Sequence, residues 1–538
     1  MRKYIFVTGG VCSSLGKGIA ASSLGSLLES RGLKVCMIKI DPYLNVDAGT
    51  MSPYQHGEVF VTDDGSETDL DLGNYARFTH SPLSFANSIT TGQIYQEVIR
   101  KERKGDYLGK CVQVVPHITD EIKRRIYAPG EKENVDVSIV EIGGTVGDIE
   151  SIPFLEAVRQ IIHERSRKNA LSVHVSLIPT LSGGELKTKP TQHSVKALRE
   201  IGIQPDVLLC RIEKKMDDAM KRKIANFTNI DYECVLSAHD VKTTIYEIPV
   251  VYREQGLDNV VCERLALDCK DDKFHRWKKV ADTWKNAEKE IEIAMVGKYI
   301  DLDDSYKSID ESLVHGAIAN NSRIKIRKID SEKLTDMEKT ASALSGVQGL
   351  LIPGGFGERG IPGMINAARY ARENKLPYLG ICLGMQVQVI EWARHVAGIE
   401  NANSSEFAPD GEANVIALLE DQVDVTQYGG TMRLGLSESV IKKGTLIYSA
   451  YKKTNIKERH RHRYEVSNTY RTDLENSGLI FSGFTPDGQL VESTEWPDHP
   501  WGVGVQFHPE FTSTPLEAGP LFRDFVKAAL KIPDNNKK

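Results

Sequence analysis

The sequence predicts an α/β fold in two parts, and three observations carry that prediction. Through the first half, short apolar runs alternate with helical stretches, the pattern of a parallel sheet covered on both faces. The first run is followed by GGVCSSLGKG (9–18) and then a helix, the layout of a phosphate-binding loop. Far along the chain, the run LPYL (376–379) leads into GICLG (380–384) and another helix, the layout of a nucleophile elbow. With 538 residues the chain exceeds one ordinary core, so two domains are expected, each with a sizeable interior.

Taken in order, strands are expected at 4–8, 35–40, 137–141, 172–179, 207–211 and 232–236. The helix after the glycine-rich loop runs to Arg31 and is stopped by Gly32. The polar stretches 62–71 and 128–134 are expected to be loops. After Leu267 the character changes. Residues 268–290 are dense in charge and carry Trp277 and Trp284 seven apart, which predicts an amphipathic linker helix. The division is therefore 1–267, a linker at 268–290, and 291–538. The second part opens with a strand at 293–297 and repeats the α/β style at 349–353 and 378–382. A helix follows at 385–395, and the end of the chain is richer in strand. No repeat or low-complexity segment is present, and only 533–538 reads as a frayed polar tail.

Composition excludes several classes. Charged residues make up 26% of the chain and the net charge is −6, so there is no overall basic footprint for nucleic acid or a membrane surface. No apolar run approaches the ~18 residues of a membrane span. The first strand is entered by Tyr4, which leaves no room for a signal peptide. Eight cysteines (12, 36, 111, 210, 234, 262, 269, 382) show no CxxC pairing and read as reduced thiols of a cytoplasmic protein.

Most lone cysteines are small core residues, but Cys382 has the context of a nucleophile. Gly380 and Gly384 let a tight turn lift the thiol out of the sheet. A thiol with an ordinary pKa of about 8.5 needs a base, and the base needs a group to orient it. GVQFHPE (504–510) supplies both, with His508 as base and Glu510 as its orienting carboxylate. Their i, i+2 spacing predicts two side chains on the same side of an extended strand end. The turn PGGFG (353–357) also ends a strand and can aim backbone N–H groups at an oxyanion, with Gly355 and Leu383 as the expected pair.

At the other end, loop N–H groups and the helix N-terminus face an anion and Lys17 adds a full charge. The spacing departs from GxxxxGK[ST]. Five residues separate Gly10 from Gly16, and Gly18 stands where Ser or Thr would hold magnesium. Carboxylates must then carry the metal. Asp71, in TDLDLG (68–73), and Glu141, at the end of its strand, are the candidates, though a solvated acid is the commoner fate of either type.

These motifs, with KIDPYLNVD (39–47), EIGGTVGDIE (141–150), KTKPTQ (187–192) and RHRHRY (459–464), closely resemble the glutamine-hydrolysing CTP synthases. The resemblance runs from about Arg2 to Leu530 with motifs in the same order. It implies an amidoligase domain over 1–267 and a class I glutamine amidotransferase domain over 291–538. The implied reaction is phosphorylation of UTP O4 by ATP, followed by displacement of the phosphate by ammonia from glutamine.

By the same resemblance Lys17 and Lys39 neutralise the transferring phosphoryl group, and Ser14, Leu15, Gly16, Lys17, Gly18, Ile19 and Asp71 contact ATP. Asp71 and Glu141 bind Mg²⁺. Ser13, Lys187, Thr188, Lys189, Pro190, Thr191, Gln192 and Lys223 are implied UTP ligands, and Asp148, Ile149 and Glu150 face the end product CTP. Asp240 and Val241 are implied ATP contacts on the adenine side, where His239 departs from the Arg or Lys expected before Asp-Val. Leu383, Gly384, Met385, Gln386, Glu406 and Arg463 surround glutamine, Glu406 at its α-ammonium. His56 and Pro53 match a segment near an ammonia passage. GTP as allosteric activator, CTP as feedback inhibitor, a homotetramer and a cytoplasmic location are implied as well. For Lys187 and Lys189 a solvated loop is the ordinary reading, which Pro190 and the preceding Gly183-Gly184 argue against. Two alternatives stand beside this reading. One is an amidotransferase like the cobyrinic acid a,c-diamide synthases, which the KTKPTQ and HRHRYE segments oppose. The other is a nucleotide switch with an inactive glutaminase domain, which an intact Cys382, His508 and Glu510 oppose.

Overall fold

The structure is a computed structural model that describes residues 2–49, 51–52, 56–269, 272–418 and 432–533. Pro53 lies outside the described residues. The chain forms two compact units, one made of residues 1–48 and 71–285 and the other of 49–70 and 286–538.

The first unit is built on an all-parallel sheet of seven strands: β1 (Lys3–Gly9), β2 (Val35–Asp41), β3 (Ser88–Thr90), β4 (Val137–Ile142), β5 (Ala170–Leu177), β6 (Val207–Ile212) and β7 (Val235–His239), in the order β3-β2-β4-β1-β5-β6-β7. Strands covered by helices on both faces must be apolar throughout, and all seven residues of β2 are buried. Phe6, Ile38, Val140, Ile126 and Phe154 share one core, and each such side chain contributes about 1.5–3 kcal/mol when fully buried. The loop 9–18 leads into α1 (Lys17–Ser30), and α2 (Lys189–Glu200) follows β5.

Several local expectations are corrected. Residues 232–234 form a 3-10 turn closed by Cys234 N–H donating to the Asp231 carbonyl, so the strand starts only at Val235. Most of the stretch 128–134 is not a loop, because the helix Thr119–Lys132 runs through Pro129 and only residues 133 and 134 turn away from it. Gly130 packs so closely on β4 that a Cβ there would lie 2.4 Å from Ser138 Oγ, and this contact holds a turn that Pro-Gly alone argues against. Residues 62–71 include half of a short antiparallel ribbon (Phe60–Val61 with Glu67–Thr68) and the start of the helix Leu70–Phe78. The helix expected in 268–290 forms over His275–Asn286 and belongs to the first unit as far as Lys285, with Trp277 stacked on Phe78 at 5.3 Å.

The second unit carries a nine-stranded mixed sheet. Its parallel part is β8 (Lys289–Gly297), β9 (Ser322–Asp330), β10 (Gly349–Ile352), β11 (Tyr378–Ile381) and β16 (Gly502–Val505), in the order β9-β8-β10-β11-β16. From β16 it continues antiparallel through β15 (Val491–Glu495), β14 (Ile480–Phe484), β12 (Arg433–Ile441) and β13 (Asn455–His462). One face packs Val296, Leu350 and Met385, and the other packs Leu351, Phe522 and Phe525. Helix α3 (Leu383–His395) follows β11. All eight cysteines are free thiols, and among the described residues no helix is long and apolar enough to cross a membrane.

Candidate active sites

In the first unit the candidate residues gather at the carboxyl ends of the parallel strands, where ligands of such sheets bind. Loop 9–18 follows β1, Lys39 and Asp41 end β2, and Glu141 ends β4. KTKPTQ follows β5, and Asp240 follows β7. Val11, Ser14 and Gly16 have φ of 84°, 57° and 82°, the left-handed backbone from which anion-binding nests of N–H groups are built. Lys17 folds back across Gly9, where a Cβ would lie 2.6 Å from its Cδ, and donates to the Gly144 carbonyl. A Cβ on Gly18 would fall 2.1 Å from Asp71 Oδ1. The glycine in place of Ser or Thr is thus the space into which Asp71 reaches.

Lys39 ties the carboxylates together. Its ammonium bonds Asp71, and lies 3.3 Å from Glu141 and 3.4 Å from Asp41. Burial opposes the Asp71 charge, but Lys39 outweighs it and holds the carboxyl below its usual range. Glu141 is pushed up, by burial and then by Asp71. Tyr75 donates to Glu141, and burial raises the phenol far above its ordinary value. Burial, opposed by Glu141, lowers Lys17. Two carboxylates beside a phosphate loop fit a magnesium ion, which takes one or two carboxylates and fills its other positions with water and substrate phosphates. Among the described residues no group of three or more His, Cys, Asp or Glu forms an all-protein cage.

KTKPTQ lies at a helix start rather than in a free loop. Thr188 precedes α2 and Pro190 sits in its first turn, where a missing N–H costs nothing. Thr191 donates to the Leu177 carbonyl at 2.9 Å, Gln192 Nε2 to Thr188 Oγ1 at 3.1 Å, and Lys187 pairs with Glu185. Ser13 and Ser14 are exposed, Leu15 is buried, and Ile19 is half-buried. Asp148, Ile149 and Glu150 are exposed, Ile149 at 83%, and Lys223 is an exposed residue of the helix Asp218–Thr228. Asp240 pairs with Arg211 at 2.5 Å, and Val241 follows at half-buried depth. Arg211 lies next to the end of β6, opposite Ala238. It supplies a cation that His239 does not, and no spacing in the sequence pointed to it.

In the second unit the elbow has the expected strain. Cys382 sits between β11 and α3 with φ 53° and ψ −101°, a conformation costing about 1–3 kcal/mol for a non-glycine residue. Both flanking glycines are required. A Cβ on Gly380 would lie 2.7 Å from the Gly384 carbonyl carbon, and one on Gly384 would lie 2.1 Å from the Ile352 carbonyl oxygen.

His508 Nδ1 is 2.7 Å from Glu510 Oε1, so the orienting pair forms as expected. It does so differently from an extended strand: β16 ends at Val505, and Pro509 starts a 3-10 turn (Pro509–Phe511) that brings the two side chains together. Phe511 stacks on the His508 ring at 5.3 Å. His508 Nε2 is buried without a hydrogen-bond partner, as suits an atom that exchanges protons with a substrate. Burial opposes protonation, but Glu510 and Cys382 outweigh it and raise His508 from 6.5 to about 10. Protonation therefore stabilises the fold in full below about 6.5, and that contribution is lost as pH rises through about 10.

Cys382, His508, Glu510, Gly355 and Arg463 line one cavity of about 250 Å³. Glu406 Oε1 accepts from the Gly357 N–H at 2.6 Å, and burial pushes its carboxyl up. Leu383 approaches Gly355 from the elbow side, within 3.5 Å of where a Cβ would stand. Gly384 and Met385 are buried behind the elbow, and Gln386 donates to the Tyr464 carbonyl at 3.1 Å. The sequence reading missed two neighbours. Gln506 Nε2 donates to Cys382 Sγ at 3.6 Å, and it lies inside the GVQFHPE run already singled out for His508. Lys298 is buried and donates to the Phe356 carbonyl at 3.2 Å and to that of Gly357, pinning the glycine-rich turn. His56 is an exposed residue of the second unit.

Residues 3–267 match the family described as CTP synthase N-terminus, and residues 301–528 match glutamine amidotransferase class-I. A CTP synthase of Desulfitobacterium hafniense is 56% identical, covering 98% of this chain and 99% of its own. One from Aquifex aeolicus is 54% identical over 99% of each. A solved glutaminase domain of Trypanosoma brucei CTPS with bound acivicin is 39% identical, covering 45% of this chain and 95% of its own, with a TM-score of 0.43.

Proposed function

Because the chain belongs to the CTP synthase family, we propose that it aminates UTP to CTP with ATP and glutamine, and that its two parts divide the work. Residues 1–267 carry the synthase chemistry and 291–538 the glutaminase. The observation that carries this division is the pair of complete constellations on one chain. Lys17, Lys39, Asp71 and Glu141 stand beside a phosphate loop, and Cys382 stands with His508 and Glu510 on one cavity.

In the glutaminase, the Cys382 sulfur attacks the carboxamide carbon. The Gly355 and Leu383 N–H groups receive the developing oxyanion, His508 passes the proton taken from the thiol to the departing nitrogen as the C–N bond breaks, and water then hydrolyses the thioester to glutamate and frees the sulfur. Glu510 keeps the ring oriented and favours its cationic form. Glu406 and Arg463 hold the α-ammonium and α-carboxylate of glutamine. Glu510→Gln removes that charge, so the alkaline limb of kcat/KM for glutamine moves down by roughly 1–3 pH units. A pH profile of glutamate release checks this, and an unmoved limb would separate His508 from Glu510.

In the synthase, O4 of UTP attacks the γ-phosphorus of ATP, and ammonia then displaces phosphate from C4. Lys17 and Lys39 face the charge spread over the transferring group, a mainly electrostatic task. Magnesium, held by Asp71 and Glu141, would supply the remaining neutralisation. Ser13, the 187–192 segment and Lys223 bind UTP; Ser14 to Ile19, Asp240 and Val241 bind ATP. CTP inhibits by entering the triphosphate site with its base beside Asp148, Ile149 and Glu150. GTP activates the glutaminase, and the enzyme works as a cytoplasmic homotetramer.

Asp71→Asn and Glu141→Gln each lower UTP-dependent ATP hydrolysis with ammonium by roughly 10²–10³-fold while glutamine hydrolysis persists. Near-normal synthesis by both variants would move the metal elsewhere. Phosphate release with and without UTP tests the wider reading. Release that ignores UTP would sink it.

A further inference from the structure

Beneath the phosphate loop lies a buried side chain that the mechanism does not use. His174, in β5, has its Nδ1 2.9 Å from Thr8 Oγ1 and its Nε2 2.8 Å from Ser194 Oγ. Thr8 is the residue of β1 immediately before the loop. Ser194 is in α2, the helix whose first turn contains Pro190, Thr191 and Gln192. A Cβ on Gly10 would stand 1.7 Å from Ser194 Oγ and 3.2 Å from His174 Nε2, so loop, imidazole and helix meet in one contact.

Burial, and then the charge of Lys17, hold His174 down to about 3, so the ring is neutral at working pH. A neutral imidazole offers one donor and one acceptor. Thr8 Oγ1 points its own hydrogen at the Val173 carbonyl, 3.4 Å away. That assigns the ring proton to Nδ1, donated to Thr8, and leaves Nε2 to accept from Ser194.

We propose that His174 is a positioning residue for the synthase reaction, anchoring to β5 the loop that holds ATP, through Thr8, and, independently, the helix start that holds UTP, through Ser194. The proposal rests on the ATP and UTP assignments above. It predicts a pattern that a merely structural core histidine does not.

The test is ammonia-dependent CTP synthesis by the full-length enzyme, with KM measured for each nucleotide and glutamine hydrolysis as a control for intact protein. Ser194→Ala raises KM for UTP and leaves KM for ATP within about twofold, and Thr8→Val does the reverse. His174→Phe raises both by about tenfold, the size of one buried hydrogen bond left unmade, with kcat little changed. Thr8→Val with Ser194→Ala matches His174→Phe, and adding both to His174→Phe changes nothing further. Should His174→Phe fail to fold, the two hydroxyl variants carry the test alone. Unchanged KM values, or equal shifts in both whichever hydroxyl is removed, would overturn the proposal. Wild-type synthesis that does not saturate with UTP and ATP would instead sink the nucleotide assignments, and the proposal with them.

Discussion

Cys382→Ala loses CTP synthesis from glutamine by roughly 10⁴-fold or more and keeps synthesis from ammonium chloride close to wild type. The loss is large because no acyl intermediate forms without the sulfur. His508 and the turn around Gly355 can then only polarise a carboxamide that has no attacker. The substitution is mild for the fold. Alanine keeps the Cβ, so the strain at φ 53° is unchanged, and only a sulfur in partial contact with the cavity is lost. Ammonia supplied from solution bypasses the whole second site. At mildly alkaline pH more of it is uncharged, so the control is cleanest there. Each nitrogen source is compared by CTP formation on the same preparation.

Lys17→Ala loses both routes, by roughly 10³-fold or more, because the charge proposed to face the phosphoryl group is needed whatever supplies nitrogen. Its neighbours sharpen the effect. Lys17 spans Gly9 and donates to Gly144, so truncation leaves that carbonyl without this partner and opens the floor of the loop. Asp71 and Glu141 then depend on Lys39 alone among the two lysines, in a buried setting where burial already opposes the Glu141 charge. Lys17→Arg restores charge but not shape. Arginine carries its charge on a planar fork rather than on a compact ammonium, so it does not reproduce the contact that Lys17 makes with the Gly144 carbonyl. Recovery in Lys17→Arg therefore stays well below wild type. CTP formation from ammonium reads both variants.

How much of this was legible depends on the range over which the physics acts. The seven-residue β2 is buried throughout and announces itself as an apolar run, as do β4 and β1 from Tyr4 onward. Ser88–Thr90 has only three residues and two of them are polar, so the edge strand carries no such signal. The elbow is legible because its glycines are sequence neighbours of Cys382. The His508–Glu510 pair is legible from its spacing, but the 3-10 turn that makes it was not, since Pro509 bends the chain where alternation suggests a straight strand.

Contacts between distant residues were out of reach without the fold. The replacement of Ser or Thr by Gly18 was visible, yet only the structure shows Asp71 reaching into the vacated space from 53 residues away. Arg211 beside Asp240 and His174 between Thr8 and Ser194 are of the same kind, each joining residues from separate strands or helices. The nucleotide roles of Ser13, Lys187, Asp148 and Lys223 came from family resemblance alone. Isolated lysines and exposed acids carry no local sign of what they bind.

The measurement that tests the account most directly is the absorbance change of UTP becoming CTP, followed for wild type, Cys382→Ala and Lys17→Ala with glutamine and with ammonium chloride. Wild type is active with both sources, Cys382→Ala with ammonium only, and Lys17→Ala with neither. A folded Cys382→Ala that fails with ammonium, or a Lys17→Ala that works with either source, would contradict it.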